Sequence, residues 1–251
     1  MNAGGAMLAG EMRGREAPRL VFVHGFGGSR ATWDRVWAAL PPALPVLRYD
    51  QRGFGASIAD DAPFSHADDL LAVLDDRGIA RAHLVGLSMG GATVLNFALN
   101  HPERVERLVL VSPAMVGWEW SDAWMARWKR LIVAARAGNM ALARRLWWQH
   151  ELFDTTRAGD AAAELRRAID AFAGRQWIAD RQRHELPDID RLAGLSAPAL
   201  LLTGARDLPD FRLIADLIAA AAPDVRRIDF PEAGHMLPLE RPDEVAAAIT
   251  A

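Results

Sequence analysis

The segment 83–91, HLVGLSMGG, indicates a strand followed directly by a helix, because its first residues end an apolar run and a helical pattern begins near Met89. A serine at such a sharp strand-to-helix turn has a strained backbone, and side chains two residues to either side would collide there. Gly86 and Gly90 remove that collision, and a helix N-terminus favours negative charge developing beside it. We therefore interpret Ser88 as a nucleophile at the carboxyl end of a strand.

Short apolar runs alternate with amphipathic stretches on both sides of this turn. Runs of this kind, bounded by glycine, proline or charge, are typical of strands buried on both faces of a parallel sheet; they are 20–23, 46–49, 83–85, 108–111, 199–203 and 227–230. The amphipathic stretches, typical of helices, are 31–40, 66–76, 89–100, 211–222 and 242–249. The alternation predicts right-handed crossovers and a doubly wound, mostly parallel sheet of the α/β class.

The alternation breaks at residues 114–187, which contain no convincing strand, read as several helices and hold seven tryptophans. An insertion between two strands lies over the carboxyl edge of the sheet, where the active sites of open α/β sheets lie. We therefore predict a core of residues 1–113 and 188–251 with a helical cap at 114–187. Trp118, Trp120 and Trp124 directly follow a strand and are predicted to line the substrate pocket, whereas Trp147 and Trp148 are interpreted as cap core.

A serine needs a base to act as a nucleophile, and the sequence offers seven histidines. His235 follows a strand through a short loop, which predicts its position at the carboxyl edge, whereas His24 is given a structural role. Asp207, which also follows a strand, is predicted to orient His235 and to stabilise its protonated form. Asp210 is the alternative acid and is expected instead to cap the next helix. The chain order Ser, Asp, His is that of a nucleophile-elbow hydrolase.

Backbone amides are expected to hold the oxyanion formed during attack. The amide of Met89, directly after the nucleophile, is one predicted donor. The loop 24–29, HGFGGS, follows the first clear strand, and its glycines let the backbone turn towards a substrate. The amide of Phe26 is the second predicted donor, although the same glycines also suit a tight strand-to-helix turn.

Five short motifs together follow one known pattern: HGFG at 24–27, YDQRGFG at 49–55, GLSMGG at 86–91, GARD at 204–207 and GH at 234–235. On these residues the sequence resembles the α/β-hydrolase superfamily over nearly its whole length, and within it small capped carboxylesterases and 3-oxoadipate enol-lactonases. The resemblance implies a structural turn at Asp50 and Arg52, with no catalytic role. Haloalkane dehalogenases and epoxide hydrolases are disfavoured, because they carry an aspartate where this chain has Ser88. The segment before Leu20 is short for the usual leading strands.

Length and composition agree with one α/β domain that carries an insertion. The chain has 251 residues, about half of them apolar, a net charge of -3 and no cysteine. The charge gives no reason to expect nucleic acid or an anionic membrane as partner. The absence of cysteine excludes disulfides and thiol catalysis. No stretch approaches the ~20 apolar residues of a membrane helix, and the N-terminal apolar stretch is too short for a secretory signal, so we expect a soluble, cytoplasmic protein.

Three hypotheses about function follow. The first is hydrolysis of a carboxylic ester or lactone with a modest, mainly apolar structure, which requires no metal or organic cofactor. The second is a C–C bond hydrolase, a class that shares the framework and would need cap groups such as Arg127, Arg130 or Arg175 to hold a dienoate carboxylate. The third is a non-enzymatic small-molecule receptor with a relic triad, against which the intact set of residues argues. Substrate identity and oligomeric state stay open.

Overall fold

A computed structural model describes residues 1–3, 5–14, 16–58, 62–183 and 185–251; His184 lies outside this range. The strands in chain order are β1 Asn2–Ala3, β2 Ala6–Met7, β3 Gly10–Arg13, β4 Leu20–Val23, β5 Val46–Tyr49, β6 Ala82–Leu87, β7 Val105–Val111, β8 Ala199–Gly204 and β9 Val225–Phe230. Within the described residues, β3 to β9 form a seven-stranded sheet in the order β3-β5-β4-β6-β7-β8-β9. All neighbours from β5 to β9 pair in parallel, which confirms the predicted doubly wound α/β sheet.

Helices cover both faces of this sheet, as the apolar runs predict for strands buried on both sides. The α-helices are α1 Asp34–Ala39, α2 His66–Asp76, α3 Met89–Asn100, α4 Asp122–Arg136, α5 Met140–Trp148, α6 Asp154–Ala158, α7 Ala162–Ala171, α8 Arg175–Ile178, α9 Pro209–Ala221, α10 Leu237–Glu240 and α11 Pro242–Thr250. Short 3-10 helices lie at Arg30–Trp33, Pro102–Arg104, Glu151–Phe153 and Ile189–Gly194. Side chains of α2, α3 and α9 pack on one face, and those of α1 and α11 pack on the other.

The N-terminal segment supplies the edge of the sheet that the sequence left open. β3 pairs antiparallel with β5, from Gly10 opposite Tyr49 to Arg13 opposite Val46. β3 has three exposed residues and one half-buried residue, so it lacks the apolar run that identifies a buried strand. β1 and β2 form a separate antiparallel hairpin before it.

Helices dominate the segment 114–187, named the helical segment below. No strand forms between β7 and β8 in the part of this segment that the structure describes, and Gln182 makes only a single bridge to Phe64. Its helices pack around buried side chains such as Leu131, Leu165 and Trp177. None of the helices in the described ranges is long and apolar enough to span a membrane.

Candidate active site

Ser88 occupies the turn between β6 and α3, and it adopts φ 54° and ψ -116°, a conformation rare for a residue with a side chain. A Cβ atom at Gly86 would lie 2.2 Å from the carbonyl oxygen of Gly90, and one at Gly90 would lie 2.3 Å from the carbonyl oxygen of Val23. These contacts are with backbone, which cannot move aside. Backbone segments approach one another so closely at this turn that only glycine fits at positions 86 and 90, on either side of the strained serine.

His235 and Asp207 meet where the loops after β8 and β9 run side by side. Nδ1 of His235 donates to Oδ2 of Asp207 over 2.8 Å, and both side chains are buried. The other carboxylate oxygen of Asp207 accepts the backbone N–H of Leu208. Since this pairing uses Nδ1, only Nε2 of His235 is left to accept a proton from a hydroxyl. The ring of Phe211 lies 4.2 Å from the imidazole, centroid to centroid.

Asp210 makes a different set of contacts. It accepts hydrogen bonds from Nε1 of Trp118 (3.2 Å) and from the backbone N–H and Oγ of Ser121. Helix α9 begins at Pro209 with Leu208 as its N-cap residue, so the expectation that Asp210 caps this helix is wrong. Asp210 instead ties the start of the helical segment to α9.

The loop after β4 runs beside Ser88. A Cβ atom at Gly25 would lie 3.3 Å from Cβ of Ser88, so the loop backbone and the serine are in close approach. His24 is fully buried, where Nδ1 donates to the carbonyl oxygen of Gly25 and Nε2 accepts the N–H of Gln51. Burial lowers the pKa of His24, which keeps the ring neutral and suited to this structural pairing.

The amides predicted to bind an oxyanion belong to residues that line one cavity with Ser88 and His235. Among the hydrogen bonds of the described residues, neither the amide of Phe26 nor that of Met89 has a protein acceptor. Backbone N–H groups without an intramolecular partner are available to a ligand. Met89 is also the first residue of α3, where the helix dipole favours negative charge.

The cavity has a volume of about 980 Å³, near the upper end of the range for small-molecule sites. Trp120 and Trp124 line it as predicted, with their rings stacked 4.5 Å apart. Trp118 does not line it, because its indole is turned towards Asp210, so that prediction is wrong. Trp128 lines the cavity and was missed, although its spacing of four residues from Trp124 places both on one helix face.

Trp147 and Trp148, the last two residues of α5, have different surroundings. Trp147 is 3% exposed and belongs to the core of the helical segment, and it also lines the cavity, so the interpretation of it as core alone was incomplete. Trp148 lies outside the cavity lining, beside the guanidinium groups of Arg157 and Arg166. Sequence reasoning also missed Phe153 and Phe211, whose side chains reach the cavity from helix ends.

An ion-pair cluster centred on Arg35 lies at the wall of the cavity. Arg35 lines the cavity and binds Glu164 over 2.7 Å and Asp160 over 3.1 Å, and these contacts raise the pKa of its guanidinium. Arg127, Arg130 and Arg175 do not line the cavity, and Arg127 pairs with Glu151. The arginines that do line the cavity are Arg35 and Arg167, which the sequence did not suggest as carboxylate ligands.

A strained serine at the carboxyl end of β6 lines one cavity with His235, which a buried hydrogen bond joins to Asp207. Such a strand–serine–helix turn at the edge of a mostly parallel sheet is typical of α/β hydrolases. Residues 20–248 match the alpha/beta hydrolase family, and the chain belongs to it. The match therefore extends from β4, through the turn at Ser88, into α11.

Relatives and solved structures resemble the chain to different extents. RutD of Caulobacter vibrioides, a candidate carbamate hydrolase, is 39% identical over 122 residues, which are 47% of this chain and 43% of RutD. The chain thus matches less than half the length of this relative. An enol-lactonase from Burkholderia xenovorans has a TM-score of 0.85 and 26% identity, covering 99% of this chain and 96% of the neighbour. An esterase from Thermogutta terrifontis has a TM-score of 0.80 and 26% identity, covering 97% and 91%.

Proposed function

We propose that the protein hydrolyses a carboxylic ester or lactone through an acyl-enzyme on Ser88. The observation that carries this proposal is the buried hydrogen bond between His235 and Asp207 at the wall of the cavity that Ser88 lines. The fold agreement with an enol-lactonase and an esterase supports the same reaction class.

In the first half-reaction, Nε2 of His235 accepts the proton of Ser88 as its Oγ attacks the carbonyl carbon. Asp207 holds the imidazole in the required tautomer and stabilises its positive charge. The oxyanion that forms is bound by the amides of Phe26 and Met89. His235 then passes the proton to the leaving oxygen as the C–O bond breaks, which leaves the acyl group on Ser88.

In the second half-reaction, water attacks the acyl carbonyl and gives a proton to His235. The Ser88–acyl bond breaks, the serine recovers its proton, and a carboxylic acid is released. When the substrate is a lactone, alcohol and acid remain parts of one product molecule. This chemistry requires no metal or organic cofactor.

The helical segment acts in this proposal as a cap over the core of residues 1–113 and 188–251. Four of its tryptophans, Trp120, Trp124, Trp128 and Trp147, line the same cavity as Ser88, which supports that arrangement. The aromatic lining favours a neutral, mainly apolar small molecule as substrate. The cavity volume of about 980 Å³ leaves room for one larger than the modest substrate expected from the sequence.

A C–C bond hydrolase receives less support, because Arg127, Arg130 and Arg175 are absent from the cavity lining. A dienoate carboxylate would have to use Arg35, which two carboxylates already engage, or Arg167 on α7. A ring-cleavage dienoate that is turned over faster than esters and lactones would reverse this order.

Hydrolysis of p-nitrophenyl butyrate tests the proposal. We expect turnover by the wild type and its loss in Ser88→Ala. Ser112→Ala is a matched control, since Ser112 also has a positive φ and its buried Oγ has no partner in the described structure. Turnover that survives in Ser88→Ala would exclude Ser88 as the nucleophile, whereas Ser112→Ala should keep turnover near that of the wild type. A parallel panel of lactones and an aryl carbamate ranks the substrate classes.

A further inference from the structure

Phe26 contributes more to the site than its backbone. It belongs to the loop after β4, which lies outside the helical segment 114–187, yet its ring packs against aromatic side chains of that segment. Its partners there, with centroid distances, are Trp128 (5.1 Å), Phe172 (5.4 Å), Trp147 (6.0 Å) and Trp177 (6.5 Å). A fifth ring, Phe54 of the core, lies at 5.6 Å. The ring of Phe26 is therefore a direct contact between the candidate oxyanion loop and three helices, α4, α5 and α8.

The residues on either side of Phe26 confine the same loop. Gly25 approaches Ser88, since a Cβ there would lie 3.3 Å from Cβ of Ser88. Gly27 has φ 70°, and a Cβ there would lie 3.3 Å from Nε1 of Trp147 and 3.5 Å from Cδ1 of Phe172. One end of this short loop thus meets the serine, and the other meets the helical segment.

We propose that the Phe26 side chain is a positioning residue, which fixes the oxyanion-binding amide of the same residue when the helical segment is docked on the core. This inference rests on the proposed function, which assigns that amide its role. A donor stabilises an oxyanion only when it lies about 2.7–3.1 Å from the charge, and small misplacements reduce the rate strongly. A loop with glycine at positions 25, 27 and 28 has little stiffness of its own, so the packed ring supplies the constraint.

Phe172 makes the proposal testable at a distance from the reacting atoms. It contacts Phe26 but is not among the residues that line the cavity, so a change there alters the support of the loop without altering the substrate's surroundings. Phe153 is the matched control, because it lines the cavity and contacts Trp147 at 4.9 Å but is not among the rings in contact with Phe26.

The experiment compares Phe26→Leu, Phe26→Met, Phe172→Leu and Phe153→Leu in the full chain. For each variant, kcat and KM are measured with p-nitrophenyl butyrate, together with inhibition by an alkyl boronic acid and by the unreactive amide analogue of the ester. The boronic acid forms an Oγ–B bond with Ser88 while the serine proton passes to His235, so its anionic adduct uses the oxyanion donors. The amide analogue reports binding before attack.

We expect Phe26→Leu and Phe172→Leu to lower kcat and boronic acid affinity together by about tenfold or more, as a partly lost oxyanion donor would. For Phe172→Leu, KM and affinity for the amide analogue should stay within about twofold, whereas the Phe26 variants, at a residue that lines the cavity, should weaken the boronic acid more than the amide analogue. Phe26→Met should recover part of the loss, because methionine fills irregular apolar gaps. Phe153→Leu should change KM while the boronic acid and the amide analogue weaken equally.

Two outcomes would overturn the proposal. One is a Phe172→Leu enzyme with unchanged kcat and boronic acid affinity. The other is an equal loss of amide and boronic acid binding in the Phe26 variants, which a merely structural role would produce. Failure of the proposed function itself is distinguishable, since the wild type would then form no boronic acid adduct or Ser88→Ala would retain turnover.

Discussion

Oδ2 of Asp207 lies 2.8 Å from Nδ1 of His235, and this contact joins the loops that follow β8 and β9. The backbone around it is tightly held, because Arg206 donates its N–H to the carbonyl oxygen of Ala233 and a Cβ at Gly204 would lie 2.0 Å from the carbonyl oxygen of Gly234. Both side chains are almost fully buried, at 3% and 2% exposure. A carboxylate in this position selects one imidazole tautomer and leaves Nε2 for proton transfer.

Substitution of Asp207 and of Asp210 in turn distinguishes the residue that orients His235 from the one that binds Trp118 and Ser121. Asp207→Asn should lower kcat by about 10⁴, because an amide in this position no longer selects the productive tautomer of His235. Asp210→Asn should have a much smaller effect on kcat, since Asp210 binds Trp118 and Ser121 rather than the imidazole. Steady-state kinetics of the two variants check this, and a larger loss in Asp210→Asn would reverse the assignment of the acid.

The turn at Ser88 should not tolerate a side chain at position 90. Gly90→Ala places a methyl group against the carbonyl oxygens of Val23 and His24, at 2.3 Å and 2.5 Å, so we expect a loss of about 3 kcal/mol or more in the free energy of unfolding. Gly194→Ala is the control, because nothing lies within 4 Å of the added methyl group. Denaturant unfolding measures both variants. Equal unfolding free energies for the two variants would show that the backbone of Val23 and His24 leaves room for a side chain at position 90.

Trp124 should determine how well bulky substrates bind. It stacks on Trp120 and lines the cavity, so Trp124→Ala should raise KM for a phenyl or naphthyl ester by about tenfold and affect a methyl ester less. Trp148→Ala is the control, since Trp148 lies outside the cavity lining. Kinetics over a series of esters of increasing size check the prediction. A KM series that Trp124→Ala leaves unchanged would contradict the role of this lining.

His66 should make the protein sensitive to acid. It is 4% exposed, and within the described structure neither of its ring nitrogens has a hydrogen-bond partner. Desolvation by burial, with smaller contributions from His24 and Arg52, lowers its pKa to about 3. As the pH falls below about 6.5, the unfolded chain therefore binds a proton here and the folded protein does not. The stability present above pH 6.5 is lost progressively towards pH 3.

His66→Leu removes this titration and tests its sign. Between pH 7 and pH 5 the wild type should lose about 2 kcal/mol more of its unfolding free energy than the variant does. Above pH 7 the two pH profiles should run parallel, because the histidine is then neutral in both states. Urea unfolding across this pH range gives the comparison, and a variant with the wild-type pH dependence would refute the lowered pKa.

Much of the fold could be predicted from local sequence, because parallel strands buried on both faces are continuous apolar runs. Residues 20–23 and 46–49 have the same limits in the structure as in the prediction, and 83–85 and 199–203 grow by one to three residues. β3 was missed for the converse reason: an exposed edge strand carries no apolar signal. The turn at Ser88 was predictable because the close approach of backbone segments there excludes side chains. The sequence therefore has glycine at positions 86 and 90.

Contacts between residues that are far apart in the sequence could not be predicted from local sequence patterns. Nothing near Trp118 in the sequence indicates that its indole binds Asp210, about ninety residues away, and the prediction that it lines the pocket failed for that reason. Trp147 shows a related limit, because one large ring serves both the core of the helical segment and the cavity wall. The packing of Phe26 among rings of three helices likewise depends on how the segment folds back over the sheet.

Covalent labelling identifies the nucleophile, which we propose to be Ser88. An alkyl fluorophosphonate should add once to the wild-type protein, with loss of fluoride and transfer of the serine proton, and peptide mapping by mass spectrometry should place the adduct on Ser88. His235→Ala should slow the labelling strongly, and Ser88→Ala should take up no label. A label on another residue, or labelling of Ser88→Ala at the wild-type rate, would show that Ser88 is not the nucleophile.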